Sequence, residues 1–327
     1  MTRRMLQRAR LAVAAALAFA PAFARAETPQ VLWEATPGGA PVRFSPSGAT
    51  VTGGSTAPEL LATLDGTVAR AFARIRGGSP VAYAFSPNGA LLAVGTSGVT
   101  LNLAVYRVSD GAQLWLTTGH SNGTKGVAFS PDGASIATTG PDRFTRVWRA
   151  ADGTLVRAMS DGFRMNAAAW SPDGATIASG TPGAIHLWRA SDGTLARTIS
   201  NAGAATGLAF SADSQRIATA DGLFTVATGA LVRRFAWPSA DGTPIAVAFS
   251  RDGSKLITTG EDFSYPTIDH GAVRIWDLAT GALLKTFDQA TGTYVNSIAV
   301  SPDGSELGWS FVDAASGGGT VLAHYPF

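Results

Sequence analysis

A five-residue phrase, aromatic-Ser-Pro-Asp-Gly, recurs seven times along this 327-residue chain with varying fidelity, and no other feature limits the fold so strongly. It reads Phe44-Ser45-Pro46-Ser47-Gly48, Phe85-Ser86-Pro87-Asn88-Gly89, Phe129-Ser130-Pro131-Asp132-Gly133, Trp170-Ser171-Pro172-Asp173-Gly174, Phe210-Ser211-Ala212-Asp213-Ser214, Phe249-Ser250-Arg251-Asp252-Gly253 and Val300-Ser301-Pro302-Asp303-Gly304. Successive serines are 41, 44, 41, 40, 39 and 51 residues apart. A period of roughly 40 to 45 residues marks a chain built from similar units, none large enough to bury its apolar surface alone.

Gly119 to Ser160 keeps the pattern best. Val127-Ala128-Phe129 alternates as an inner strand, and Ser130-Pro131-Asp132-Gly133 is a turn in which proline fixes φ and glycine supplies the positive φ. Ala134 to Thr139 reads as a second strand, with Ile136 on the buried side, and Thr145-Arg146-Val147-Trp148 as a third. Asp152-Gly153 then closes a hairpin into an outer strand ending at Met159. The neighbouring units repeat this order through Trp188 and Asp192-Gly193, Trp276 and Thr280-Gly281, and Tyr106 and Asp110-Gly111. Four short antiparallel strands per period, seven periods and no long helical pattern give an all-β, seven-bladed β-propeller, whose radial stacking protects the sheet edges.

The order Phe-Ser-Pro-Asp-Gly, Ile-Ala-Thr-Thr-Gly, Arg-Val-Trp, Asp-Gly-Thr-Leu resembles the WD-repeat proteins over essentially all of residues 27–327. The resemblance implies blades tied by a His, Ser/Thr, Asp and Trp hydrogen-bonded set, which maps onto His120, Thr139, Asp142 and Trp148. Elsewhere the set decays: Pro182 stands near the Asp position before Trp188, Tyr106 replaces Trp, and only Trp276-Asp277 keeps the dipeptide. Propeller repeats of the periplasmic Tol system share the Ser-Pro-Asp-Gly phrase but favour Tyr where Trp148, Trp188 and Trp276 fall here.

Counting strands leaves the last unit one short, while Gln30-Val31-Leu32-Trp33-Glu34 precedes the first unit without a sheet of its own. That N-terminal strand is expected to complete the last blade. The fifth unit contracts, and the sixth expands through Glu261 to His270, a contact loop or a tolerated drift in length.

Residues 1–26 are a different kind of sequence. Arg3, Arg4, Arg8 and Arg10 precede an apolar run from Leu11 to Ala24, and Ala24-Arg25-Ala26 supplies a small-x-small cleavage site. This reads as a signal peptide ahead of a mature domain over 27–327, exported to the periplasm or the exterior. The run is too short for a spanning helix, which needs about 20 apolar residues. Thr2-Arg3-Arg4-Met5-Leu6 partly resembles a twin-arginine signal.

The chain carries 25 Lys+Arg and 23 Asp+Glu; the leader holds five Arg and no acid, so the remainder has 20 against 23, a net of −3. No basic stripe suggests nucleic acid. Cysteine is absent, so neither disulfides nor thiol catalysis contribute.

Chemistry-bearing patterns are scarce. No Gly-x-Ser-x-Gly opens a helix, the repeated serines serve turns, and Gly317-Gly318-Gly319 lacks the Lys-Ser/Thr of a phosphate loop. His120, His186, His270 and His324 lie in different blades without metal-ligand spacing, and Glu261, Asp262 and Asp269 lack EF-hand spacing. We therefore expect no catalytic residue, cofactor or metal, and a monomer that binds a protein. The loops joining second to third strands and those linking blades share one face, where Arg143, Phe144, Phe163, Arg164, Trp237, Phe263, Tyr265 and Tyr294 are the candidate contacts. The competing expectations are a propeller enzyme or small-ligand binder using the axial channel, lactonase-like or quinoprotein-like, and a purely structural envelope component.

Overall fold

The computed structural model describes residues 30–35, 40–98, 100–160, 162–237, 243–262, 270–291, 293–313 and 318–325. The leader expected over 1–26 and the candidates Phe263 and Tyr265 lie outside them. No helix occurs among the described residues, and none is long and apolar enough to cross a membrane. The described residues form a seven-bladed β-propeller.

Blade 3 shows the common plan. Gly126–Phe129, Ser135–Thr139, Thr145–Arg149 and Leu155–Met159 pair antiparallel in chain order. Blades 2, 5 and 6 repeat it, and three others vary it. In blade 1 the inner strand is reduced to the bridge between Phe44 and Val51. In blade 4 one continuous segment, Thr176–Arg189, bends at Pro182-Gly183 and supplies both middle strands; Ala190 N–H bonding to Ala175 O marks the return. Blade 7 has the sheet order Gln30–Ala35, Gly319–His324, Glu306–Asp313, Thr293–Val300, so the N-terminal strand is its outer strand, as strand counting required. The sixth-blade insertion is a lengthened hairpin: Lys255–Asp262 pairs with His270–Asp277 residue for residue.

Each apolar cluster is shared between neighbouring blades. The cluster of Ala137, Val147 and Met159 with Met165, Ile177 and Trp188 joins blades 3 and 4; that of Trp33, Ala299 and Leu322 with Val42, Val51 and Leu61 joins blades 7 and 1. Seven such clusters serve seven boundaries. Burial at about 25 cal/mol per Å² is therefore gained only when a blade meets its neighbour.

The repeated phrase is a hydrogen-bond relay. Ser130 Oγ donates to Asp132 Oδ1 at 2.5 Å and accepts from Ser135 N–H at 2.9 Å, while Asp132 Oδ1 accepts from Ala134 N–H at 2.9 Å. Ser171, Ser250 and Ser301 do the same with Asp173, Asp252 and Asp303. The Ser130 bond and the Ala134 amide hold the Asp132 carboxyl below its usual range. Five of the six glycines that end these turns touch the preceding blade, Gly253 being the exception: a Cβ at Gly133 would meet Pro87 at 3.4 Å, and one at Gly48 would meet Pro302 at 3.6 Å.

A second ring of contacts runs round the rim. In six of the seven blades the outer strand reaches over the hairpin between the third and outer strands of the next. Arg157 donates to Ala190 O and Ser191 O, Arg197 to Ala227 O and Thr228 O, and Arg233 to Ala279 O and Thr280 O. Arg70 reaches Ser109 O, Trp115 reaches Ala150 O, and Trp33 carries the pattern across the closure to Thr63 O at 2.8 Å. Blade 7 has no such hairpin, because its outer strand comes from the start of the chain; there Lys285 lies 5.8 Å from the Tyr325 ring instead.

Candidate functional site

The strand register puts two sets of loops at one end of every sheet. In blade 3 Thr139 pairs with both Gly126 and Thr145, and Thr145 with Met159, so the turn at 140–144 and the links at 118–125 and 160–166 emerge together.

That end of blade 3 is fixed by a buried relay. Trp148 Nε1 donates to Thr138 Oγ1 at 2.8 Å, Thr138 Oγ1 lies 2.9 Å from His120 Nε2, and His120 Nδ1 lies 2.7 Å from Asp142 Oδ1. With the proton of a neutral imidazole on Nδ1, the indole donates to the hydroxyl, the hydroxyl to Nε2, and Nδ1–H to the carboxylate, while Arg146 Nη1, 2.7 Å from Nδ1, directs its hydrogen to Asp142. Burial lowers the His120 pKa, favouring that neutral form. Burial would raise the Asp142 carboxyl, but bonds and charges from His120 and Arg146 outweigh it and hold the group well below its ordinary value. Arg146 Nη1 donates to Asp142 Oδ2 at 2.7 Å.

One expected member of the set is corrected. Thr138, not Thr139, supplies the hydroxyl: the two alternate across the strand, and Thr139 Oγ1 is buried without a partner. The tryptophan bond survives where the rest of the set is lost, from Trp188 Nε1 to Ser179 Oγ and from Trp276 Nε1 to Thr258 Oγ1, both 2.8 Å. Sequence reading also missed Asn102, fully buried at the start of a third strand. Its Oδ1 accepts from the N–H groups of Gly119 and His120 and from Thr124 Oγ1, and its Nδ2 donates to His120 O at 2.6 Å. Asn102 thereby holds the link that presents His120. No spacing in the sequence marks that role.

The candidate contacts separate into local pairs. Arg143 is exposed at φ +72°, and its carbonyl accepts from Ser160 Oγ at 2.6 Å. Phe144 is half-buried under the Arg146 guanidinium, 4.7 Å from its ring centre. Phe163 is 61% exposed and stacks on His186 at 5.9 Å; Arg164 beside it is exposed. Trp237 is half-buried beneath the buried Arg274 at 4.2 Å. Tyr294 is half-buried in the inner strand of blade 7, paired with Val312. Thus Phe144 and Trp237 already carry cations on their faces, which leaves Phe163 as the exposed large aromatic among the described residues. No group of three or more His, Asp or Glu side chains converges among the described residues.

A closed ring of seven blades, with an Asp-His-Thr-Trp relay in one and Trp-to-hydroxyl bonds in two more, is the architecture of a WD-type propeller. The model of the WD domain, G-beta repeat, matches residues 111–149 and 153–189. An uncharacterized WD repeat-containing protein of Synechocystis is 35% identical over 102 residues, 31% of this chain and 28% of that protein. Centriole proteome protein 16 of Chlamydomonas reinhardtii is 34% identical over 142 residues, 43% of this chain and 6% of that protein. Telomerase protein component 1 of Mus musculus is 26% identical over 275, 70% of this chain and 10% of that protein. The chain thus spans less than a third of the length of each of these relatives. Two stretches of the chain are thus similar to WD repeats, within a fold that is a seven-bladed β-propeller throughout.

Proposed function

We propose that this chain is an exported, non-catalytic WD-repeat scaffold, a monomer that holds a protein partner on the face formed by the turns after the second strands and the links between blades. One observation carries the reading. Phe163 is 61% exposed on that face, beside exposed Arg164 and stacked on the buried His186. Aromatic and arginine side chains held on a rigid frame are the residue types that dominate interface energetics. Export is supported by the arginine-led apolar run and the Ala24-Arg25-Ala26 site. The relatives' names carry no activity over to this chain, and the family's usual role supports a scaffold rather than an enzyme.

The test is recovery of the affinity-tagged chain from the cell envelope as a species starting at Glu27, together with a partner identified by mass spectrometry. Phe163→Ala with Arg164→Ala is expected to weaken that purified partner at least tenfold, about 1.4 kcal/mol, with an unchanged circular dichroism spectrum. Equal affinity for the partner would remove this face from consideration.

A further inference from the structure

The residue just before the repeated aromatic is alanine in six blades: Ala84, Ala128, Ala169, Ala209, Ala248 and Ala299. In blade 1 it is Arg43. Inner strands pack against one another round the axis, and this side of them has little room. A Cβ at Gly126 would meet Ala168 N at 2.4 Å, and one at Gly207 would meet Ala246 Cα at 2.8 Å. A guanidinium does not fit between strands so close, which leaves it the central channel that propeller blades enclose. The surroundings of Arg43 agree. Its side chain is exposed to solvent, yet burial lowers its pKa from the ordinary value. Solvent contact inside a shell of protein is the condition of a group in a water-filled lumen.

Arg43 also has unused capacity. Nη1 donates to Val42 O at 2.7 Å and lies 3.4 Å from Ser297 Oγ, a hydroxyl that already accepts from Val42 N–H at 3.0 Å. Among the described residues no carboxylate pairs with this guanidinium, and Nε and Nη2 have no protein acceptor. A guanidinium offers five donors in a fixed fork that matches a carboxylate or phosphate. A guanidinium with idle donors gains charge-assisted hydrogen bonds when an oxyanion meets it.

We propose that Arg43 makes the axial channel a binding site for a small oxyanion, a carboxylate or phosphate, gripped by the guanidinium fork. The site is independent of the partner face. Calorimetric titration and thermal denaturation of the whole domain with sodium phosphate or sodium acetate, against sodium chloride at matched ionic strength, test it. The native chain is expected to bind at least one of the two oxyanions and to gain Tm with it. Arg43→Ala restores the residue of the other six blades, so it is expected to fold, to keep or raise its Tm in anion-free buffer, and to lose binding at least tenfold. Arg43→Lys, which keeps the charge but not the fork, should fall between them. The proposal is overturned if neither oxyanion binds beyond the chloride control, or if Arg43→Ala responds as the native chain does. A large Tm loss for Arg43→Ala without anion would overturn it too, by making Arg43 a brace between strands.

Discussion

Thr138 and Thr139 are adjacent and chemically identical, yet they have opposite duties. Thr138 Oγ1 accepts from the Trp148 indole and meets His120, while Thr139 Oγ1 is buried with no partner. Thr138→Val leaves an indole N–H and an imidazole nitrogen unsatisfied inside the sheet and should cost about 1–3 kcal/mol in urea denaturation. Thr139→Val removes a hydroxyl that bonds to nothing, and its stability should stay within about 0.5 kcal/mol of the native value. Nothing in the local sequence distinguishes the two, because a one-residue shift of strand phase exchanges their faces. The distinction was nonetheless present in blade 4, where Ser179 is followed by Gly180, so only the first position there carries a hydroxyl. Asn102 and Arg43 were illegible for a related reason: each acts through residues distant in sequence, Asn102 on the link 17–22 residues ahead and Arg43 beside Ser297, 254 residues away.

Among the elements, the outer strand carries the least expected design. In six blades its pairing with the third strand slips by one residue, as between Val147 and Trp148, where Trp148 pairs with Leu155 and Val147 with Arg157. The bulge leaves Leu155 and Val156 exposed and aims Arg157 at the turn of the next blade. The strand edge is thereby bent and covered, which disfavours pairing with another chain. The hairpin glycine beneath this arm has two constraints. Gly193 sits at φ +76°, and a Cβ there would meet Arg157 Cδ at 2.2 Å; Gly253 has φ +69° with nothing within 4 Å of its Cβ position. Gly253→Ala should therefore cost only the left-handed penalty of about 1–2 kcal/mol, and Gly193→Ala measurably more, as thermal or urea denaturation would read. The paired hairpin glycines were visible in sequence as turn formers. Their second role was not, since the arms come from another blade.

For the molecule as a whole, period, strand number and closure were all legible, because each blade repeats the same hydrophobic alternation and the ring needs a full complement of strands. The packing of the loops was not, since no periodic constraint acts on them; the aromatics expected on the contact face include two that are already capped by arginine. Removing Gln30–Ala35 strips the outer strand from blade 7 and with it Trp33, 8% exposed between two blades. Losing a buried tryptophan costs about 3–5 kcal/mol, and in a domain of this size each kcal/mol is about 2–4 °C, so Tm should fall on the order of 10 °C. An unchanged Tm would contradict closure by this strand.

That seam also sets an order of events during synthesis. The segment at 30–35 is made before the rest of the ring, yet the strand it must join, 319–324, is the ring's last. Its partner edge does not exist until the other six blades have been made, so the final fastening is a long-range step, slow by the rule that distant pairings delay folding. Until then the nascent polypeptide stays an unlatched arc with apolar sides bare at both ends, vulnerable to clumping if it waits too long.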